Sequence, residues 1–333
     1  MATKKMKVRS TARIFVFIAA ALGAASGCHY AVNLNLAPQP QPLSEVVISG
    51  KGENRVLLIP VDGLISSIPG KGMWGRGSPS MLAYITEQLD AARKDKRIKA
   101  VVLKIDSPGG VVSSCDAIHE ELTRYKRDMK IPIVAQQMSM ATSGGYYLST
   151  VADMILAQPT TVTGSIGVIM LKLNAQGLLS KIGVADDSVF SGESKDILSV
   201  FKQMNPAERT LLQGILDTMH KKFIEVTLQA RKQVKDPATT FDGRVFIGQQ
   251  AVERNLVDKL AYLPDAFEEA KKLAGLTEAT IIRLVPSKTT PYNAYTAGGD
   301  SGPPQAASGI GAMPMEGFFM GDTGPQFLYL WGL

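Results

Sequence analysis

The chain has 333 residues, of which 45% are hydrophobic and 20% charged, enough apolar matter for a proper core and too much for disorder throughout. Its formal charge of +6 belongs to one end: Lys4, Lys5, Lys7, Arg9 and Arg13 fall in the first 27 residues, which contain no acid, and beyond them 31 basic residues face 30 acidic ones. No stripe of Lys and Arg interleaved with aromatics is present, which argues against a nucleic-acid partner.

Residues 1–27 read as an export signal. A basic segment precedes the apolar run Ile14–Gly27, whose 14 residues fall short of the roughly 20 that a membrane-spanning helix needs. Ala25-Ser26-Gly27-Cys28 resembles the lipobox of bacterial lipoproteins, with Ala25 where leucine is usual, so the leader ends either in lipidation of Cys28 or in plain cleavage nearby. Residues 28–45 are polar and proline-rich and suit a tether between membrane and domain. The folded part is expected over residues 46–286, outside the cytoplasm of a bacterial cell and held to its membrane through the N-terminus. Residues 287–333 are rich in Gly, Pro and Ala and read as a flexible tail, though its end, FLYLWGL, is apolar enough to dock.

Within the domain, Arg55–Val61 has the length and apolarity of a strand. Ser78-Pro79 then offers an N-cap and a first-turn proline to a helix with Leu82, Ile85, Leu89 and Ala92 on one face. Strand Ala100–Ile105 runs into Asp106-Ser107-Pro108-Gly109-Gly110, with Ser107 as cap of the next helix, in which Cys115, Ile118, Leu122 and Tyr125 recur at helical spacing. Strand Ile131–Gln136, the turn at Ser143 with its helix, and strand Met154–Ala157 follow. Alternating short apolar strands and helices predict an α/β fold with a mostly parallel sheet layered by helices. Later come a strand over Thr160–Ile169, a helix over Asn174–Lys181, a strand over Ser188–Ser191, and a long helix from Pro206 to about Gln233 with Leu211, Ile215, Met219, Phe223, Val226 and Ala230 on one face. Asp242–Leu260 holds a turn, a strand and a helix, and Pro264–Ala274 a last helix.

Functional loops of a parallel sheet lie at the carboxyl ends of its strands, and both Gly-Gly turns sit there, which brings Gly109 and Gly110 close to Ser143, Gly144 and Gly145. A serine at a loop-to-helix turn presents its hydroxyl beside free backbone N–H groups, the setting of a nucleophile with an oxyanion site, although such a turn is more often a simple helix cap. Its base is harder to find. His29 is in the tether, His220 in the middle of a long helix, and His119, the best placed of the three, lies two turns into its helix; scattered histidines and two cysteines also make no zinc-type spacing. Lysine serves when desolvation lowers its pKa, and Lys195 stands out only by its Ser-Gly-Glu-Ser-Lys loop.

Five ordered motifs, Asp106–Gly110, Ala141–Tyr147, Thr163–Val168, Ser191–Asp196 and Asp242–Val245, resemble the signal peptide peptidase A family of membrane-anchored serine peptidases over roughly Val56 to Ala274. The resemblance implies a Clp protease/crotonase-like fold, Ser143 as nucleophile, Lys195 as general base, and an oxyanion site from Gly109 or Gly110 with the N–H of Gly144. It implies no metal or nucleotide cofactor. It also implies a homo-oligomeric ring in which serine and lysine come from adjacent subunits, acting on released signal peptides and other unfolded apolar segments. Ser165 is a candidate to line the cleft and orient Lys195, while Tyr146 and Tyr147 read as helix packing. Two rivals are a non-catalytic membrane scaffold and an acyl-CoA enzyme of the crotonase kind, the latter opposed by the export leader.

Overall fold

The computed structural model of the protein describes residues 43–69, 79–286, 293–295 and 327–331. The leader, Cys28 and most of the proline-rich stretch lie outside them. Strand β1 (Leu43–Gly50) takes in Leu43, Ser44 and Glu45, so regular structure begins three residues before the expected domain start.

The core of the sheet is a set of parallel strands: β2 (Arg55–Asp62), β3 (Ile98–Ser107), β5 (Ile133–Thr142) and β6 (Met154–Ala157). With β10 (Lys259–Leu260) and β11 (Thr280–Pro286) they stand in the order β1-β11-β2-β3-β5-β6-β10, where β1 is the antiparallel edge. Residue alternation sorts the strands between two layers. Leu57, Ile59, Val61, Leu103 and Ile105 face helices α1 (Met81–Lys94) and α2 (Val112–Met129). Val56, Leu58, Ala100 and Val102 face α8 (Leu263–Leu273), through Leu263, Ala266, Phe267 and Ala270. Truncating one of these buried aliphatics to Ala would cost about 2–5 kcal/mol. Both faces are covered, which is why these strands read as continuous apolar runs.

Several boundaries differ from expectation, each for a local reason. Helix α1 is capped by Ser80, whose side chain accepts from Ala83 N–H, while Ser78 lies outside the described residues. The span Thr160–Ile169 is not one strand: β7 (Val162–Gly164) pairs with β5 and with β9 (Val245–Ile247), the chain turns through positive φ at Gly164 and Ser165, and β8 (Ile169–Met170) joins another sheet. Ser188–Ser191 forms no strand, and Val189 is 97% exposed because none of the described residues covers it. Helix α4 is Gln176–Lys181. Helix α5 (Pro206–Ala230) buries Glu208 and Leu212 rather than Leu211 in its first turns, since Glu208 turns inward to complete a capping box with Asn205. Leu211 is left 53% exposed.

The tail also departs from a wholly flexible reading. Phe327–Leu330 forms β12, held antiparallel between β4 (Gly109–Val111) and β8. The remaining short elements are α3 (Gly144–Ser149), α6 (Pro237–Thr240) and α7 (Gly248–Glu253).

Candidate active site

Strands β2, β3 and β5 run in register, Asp62 beside Asp106 and Ser107 beside Ala141, so the turns at their carboxyl ends arrive together. Asp106 fastens two of them, its Oδ1 accepting from Ser139 Oγ at 2.5 Å and Met140 N–H at 3.1 Å. Ser107 does not cap α2, whose N-cap is Val111. Instead its hydroxyl donates to the Gly63 carbonyl at 2.6 Å and accepts from Gly109 N–H at 3.1 Å, which fixes the glycine turn.

Ser143 stands between β5 and α3 with φ 52° and ψ −114°, a backbone that side-chain-bearing residues rarely adopt. Such a conformation costs about 1–3 kcal/mol and persists where surroundings over-determine it. Here they do: Ser143 N–H donates to Gly164 O at 2.7 Å, and its carbonyl accepts from Tyr147 N–H at 2.8 Å. The side chain is fully buried, and Oγ has no hydrogen-bond partner within the described residues. A buried hydroxyl left unpaired costs about 1–3 kcal/mol, and its retention in so constrained a turn marks a group kept for use.

The two glycine turns touch. A Cβ added to Gly144 would lie 3.1 Å from both Gly109 Cα and Gly110 N, and one added to Gly109 would lie 2.8 Å from Gly144 N. Gly109 has φ +107°, and a Cβ on Gly110 would meet the Ile65 carbonyl oxygen at 1.9 Å. Only glycine permits this approach, and it places the backbone N–H groups of Gly110 and Gly144 together beside the serine. That is a donor pair suited to negative charge on a carbonyl oxygen.

The candidate bases are placed very differently. His119 bonds Thr150 Oγ1 through Nε2 at 3.1 Å and rests against the Tyr147 ring at 5.0 Å, and burial pushes its pKa down to about 4. His220 Nε2–H donates to the Ile166 carbonyl. Lys195 is exposed on the loop before α5 and does not engage Ser143 Oγ of its own chain. The loop is anchored next door, where Lys202 Nζ holds Asp196 at 2.7 Å and Glu208 at 2.5 Å. The structure thus joins Ser143, Gly109, Gly110 and Gly144 and leaves Lys195 apart. Ser165, 6% exposed with φ 51°, follows the Gly164 carbonyl that Ser143 bonds, and its own N–H donates to Arg244 O at 2.8 Å. Cys115 is buried, and a Cβ on Gly144 would come within 2.5 Å of its Sγ; burial pushes this thiol's pKa up. Among the described residues no group of three or more His, Cys, Asp or Glu side chains is arranged to hold a metal ion.

Sequence reasoning did not single out Asp106 and Ser139 as a clamp. It took Tyr147 for helix packing, whereas the ring also packs against Tyr329 of the tail, with its hydroxyl donating to Asp116 at 2.7 Å. The only available signal for the clamp was an acid at the end of a strand.

Comparison with known proteins settles the kinship. The chain is 35% identical over 242 residues to a protein of Enterococcus faecium named as a signal peptide peptidase SppA, covering 72% of this chain and 69% of that one. The chain belongs to the signal peptide peptidase A family. A family model described as peptidase family S49 matches residues 125–277, and the Clp protease model matches residues 78–163. A protease of Synechocystis is 36% identical over 62% of this chain and 75% of its own. Protease 4 of Salmonella typhi is 36% identical over 57% of this chain but only 31% of its own. The protein is a peptidase with a Clp protease-like domain, mixed α/β about a mostly parallel sheet.

Proposed function

We propose that this member of the signal peptide peptidase A family is a serine endopeptidase in which Ser143 is the nucleophile and Lys195 of a neighbouring copy the general base. The observation that carries the reading is the Ser143 turn itself: a strained, fully buried serine with an unpartnered Oγ beside the N–H groups of Gly110 and Gly144. Lys195, neutral once desolvated, would take the hydroxyl proton as Oγ attacks a peptide carbonyl. The glycine N–H groups hold the oxyanion, the amine leaves, and water releases the acyl-enzyme. Ser165, on the turn beside the nucleophile, would orient the incoming lysine.

A second copy is supported by what surrounds Lys195. From residue 167 to residue 207 no side chain is buried, yet the stretch carries Leu178, Ile182, Val189, Phe190 and Phe201 exposed. Large apolar patches on one chain mark contact with another. A closed ring of copies, each lending its lysine loop to the next serine, covers this surface and completes the site. Substrates would be released signal peptides, the class in the name of the Enterococcus relative, and, by the same apolar character, other unfolded apolar segments. Attachment to the bacterial envelope rests on residues 1–45 and Cys28; among the described residues no helix is long and apolar enough to cross a membrane.

The test is cleavage of an unfolded apolar peptide by full-length protein in detergent, read by mass spectrometry beside Ser143→Ala and Lys195→Ala. Only the parent should cut. Cleavage by Lys195→Ala at the parent's rate would remove the lysine from the mechanism, and cleavage by Ser143→Ala would remove the serine.

A further inference from the structure

Asp242–Val245 has no role in the mechanism above, yet it packs directly against the site. Its turn sets Asp242 and Arg244 on either side of Gly243, which has φ +88°. A Cβ on Gly167 would lie 3.4 Å from Gly243 Cα, so the segment that leaves β7 after Gly164 runs in contact with this turn. Strands β7 and β9 are antiparallel, with Thr163 beside Phe246 and Gly164 beside Val245, and the next residues to face each other are Ser165 and Arg244. Ser165 N–H donates to the Arg244 carbonyl at 2.8 Å. A complete pair of this kind would return Arg244 N–H to the Ser165 carbonyl. It goes instead to Asp242 Oδ1 at 3.1 Å.

Asp242 thereby stops the β7–β9 ladder at Gly164. Released from pairing, the chain turns through positive φ at Gly164 (86°) and Ser165 (51°), and the Gly164 carbonyl accepts from Ser143 N–H at 2.7 Å. The turn is braced from two further sides. His220 Nε2–H donates to the Ile166 carbonyl at 3.0 Å, and the Phe246 ring lies against Gly164, where an added Cβ would meet Cδ2 at 2.9 Å. The stop is fixed by Arg244 itself, whose Nε lies 2.9 Å from both Asp242 carboxylate oxygens and whose Nη2 lies 2.6 Å from Oδ2. Both side chains stand largely in solvent, Asp242 36% and Arg244 50% exposed. An exposed ion pair contributes little to stability, so the convergence of these donors on one carboxylate asks for another use.

We propose that Asp242 is a positioning residue of the peptidase: by taking Arg244 N–H it ends the ladder, bends the chain at Gly164 and Ser165, and so sets the carbonyl that holds Ser143 N–H. The same bend places Ser165 for the incoming lysine. Asp242 touches neither substrate nor the reacting atoms, and it acts only through this backbone. The proposal rests on the Ser143 reading above. Its chemical content is an order of effects. The carboxylate oxygen on Arg244 N–H is the working contact, and the guanidinium only steadies that carboxylate.

The experiment compares full-length parent in detergent with Asp242→Ala, Asp242→Asn and Arg244→Ala, reading kcat and KM on one apolar peptide, Tm, and assembly by sedimentation. Asp242→Ala should lower kcat about 30- to 100-fold at unchanged KM, since a misplacement of about 1 Å at a reacting group costs up to about 10²-fold. Asp242→Asn keeps an oxygen for Arg244 N–H and should restore most of that loss. Arg244→Ala leaves the carboxylate on the backbone and should cost only about 3- to 10-fold. The rate at which a serine-directed phosphonate labels Ser143 should fall in the same order, with Tm and assembly as in the parent. Three equal variants, as a plain ion pair would give, or an Asp242→Ala kcat within about twofold of the parent's, would overturn the proposal and leave the peptidase standing. So would a loss of Tm or of assembly in step with kcat, which would make Asp242 a structural residue of the fold or of the contact between copies. If the parent neither cuts peptide nor labels at Ser143, the peptidase reading fails first and the positioning role falls with it.

Discussion

The Ser143 turn and the Lys195 loop are the two halves of one proposed site, and they are built on opposite plans. The N–H and the carbonyl of Ser143 both have partners within the chain, the residue is fully buried, and glycines at 109, 110 and 144 let two turns meet at contact distance. Around Lys195 the chain buries nothing, and a Cβ added to Gly192 would meet no atom within 4 Å. In the proposed site, the nucleophile and its oxyanion donors are prepared within a single chain, whereas the lysine stands on an uncovered loop whose surroundings a second copy would define. On the proposed reading, the chemistry is thereby tied to assembly.

The sharpest way to break that comparison is to divide the halves between chains. Ser143→Ala and Lys195→Ala should each lower kcat by about 10³-fold or more. Mixed in equal amounts and reassembled, they should recover about a quarter of the parent rate, because one in four neighbouring pairs has both an intact serine and an intact lysine. Recovery of nothing would place both groups in one chain. Next in size is the glycine contrast. Gly110→Ala forces a methyl into the Ile65 backbone and should cost more than about 3 kcal/mol of stability, visible as a large loss of Tm, whereas Gly192→Ala should leave Tm unchanged.

His119 tests the buried half by pH. Its folded pKa of about 4 lies below the ordinary 6.5, so between those values the unfolded chain binds more protons and stability falls as pH falls. The contribution present above pH 6.5 is about 3 kcal/mol at most, and His119→Gln should flatten that part of the acid limb of a denaturation series. The same value means that His119 cannot produce a rise in activity from pH 6 to 9, which is expected of a lysine base. The smallest effect on activity is reserved for the loop: Lys202→Met removes the cation shared by Asp196 and Glu208 and should lower kcat about 3- to 10-fold, by loosening Lys195, with some loss of Tm because Glu208 is buried.

Legibility in the sequence follows the same divide. The strands from Arg55, Ala100, Ile131 and Met154 could be read because both faces of each are buried, and a Ser-Gly-Gly turn at a strand end makes Ser143 a candidate, although such a turn alone is more often a helix cap. The positive φ of Ser143 could not be read, since serine does not announce it as glycine does. Lys195 could be chosen only through family resemblance, because nothing in its own chain packs around it. The expected strand Ser188–Ser191 is absent for the same reason: Val189 and Phe190 have strand-like composition, but both are exposed and pair with no strand among the described residues. The stripe Leu211, Ile215 and Met219 is real as a helical face, yet Leu211 is left uncovered within one chain. Strand β12 escaped because its partners are three and two residues long and lie far away in sequence, and pairing of that kind leaves no periodic mark.

The three-stranded sheet β4-β12-β8 has a further consequence, for handling rather than for chemistry. Strands β4 and β8 each bond β12 and do not bond each other. With the central strand gone, both become open edges, and an open edge accepts any extended backbone, a neighbour's as readily as a substrate's. A chain ending at residue 326 should therefore grow turbid on concentration, and the full-length chain should stay clear. For this enzyme, colloidal behaviour in the tube is a reading of whether β12 is in place.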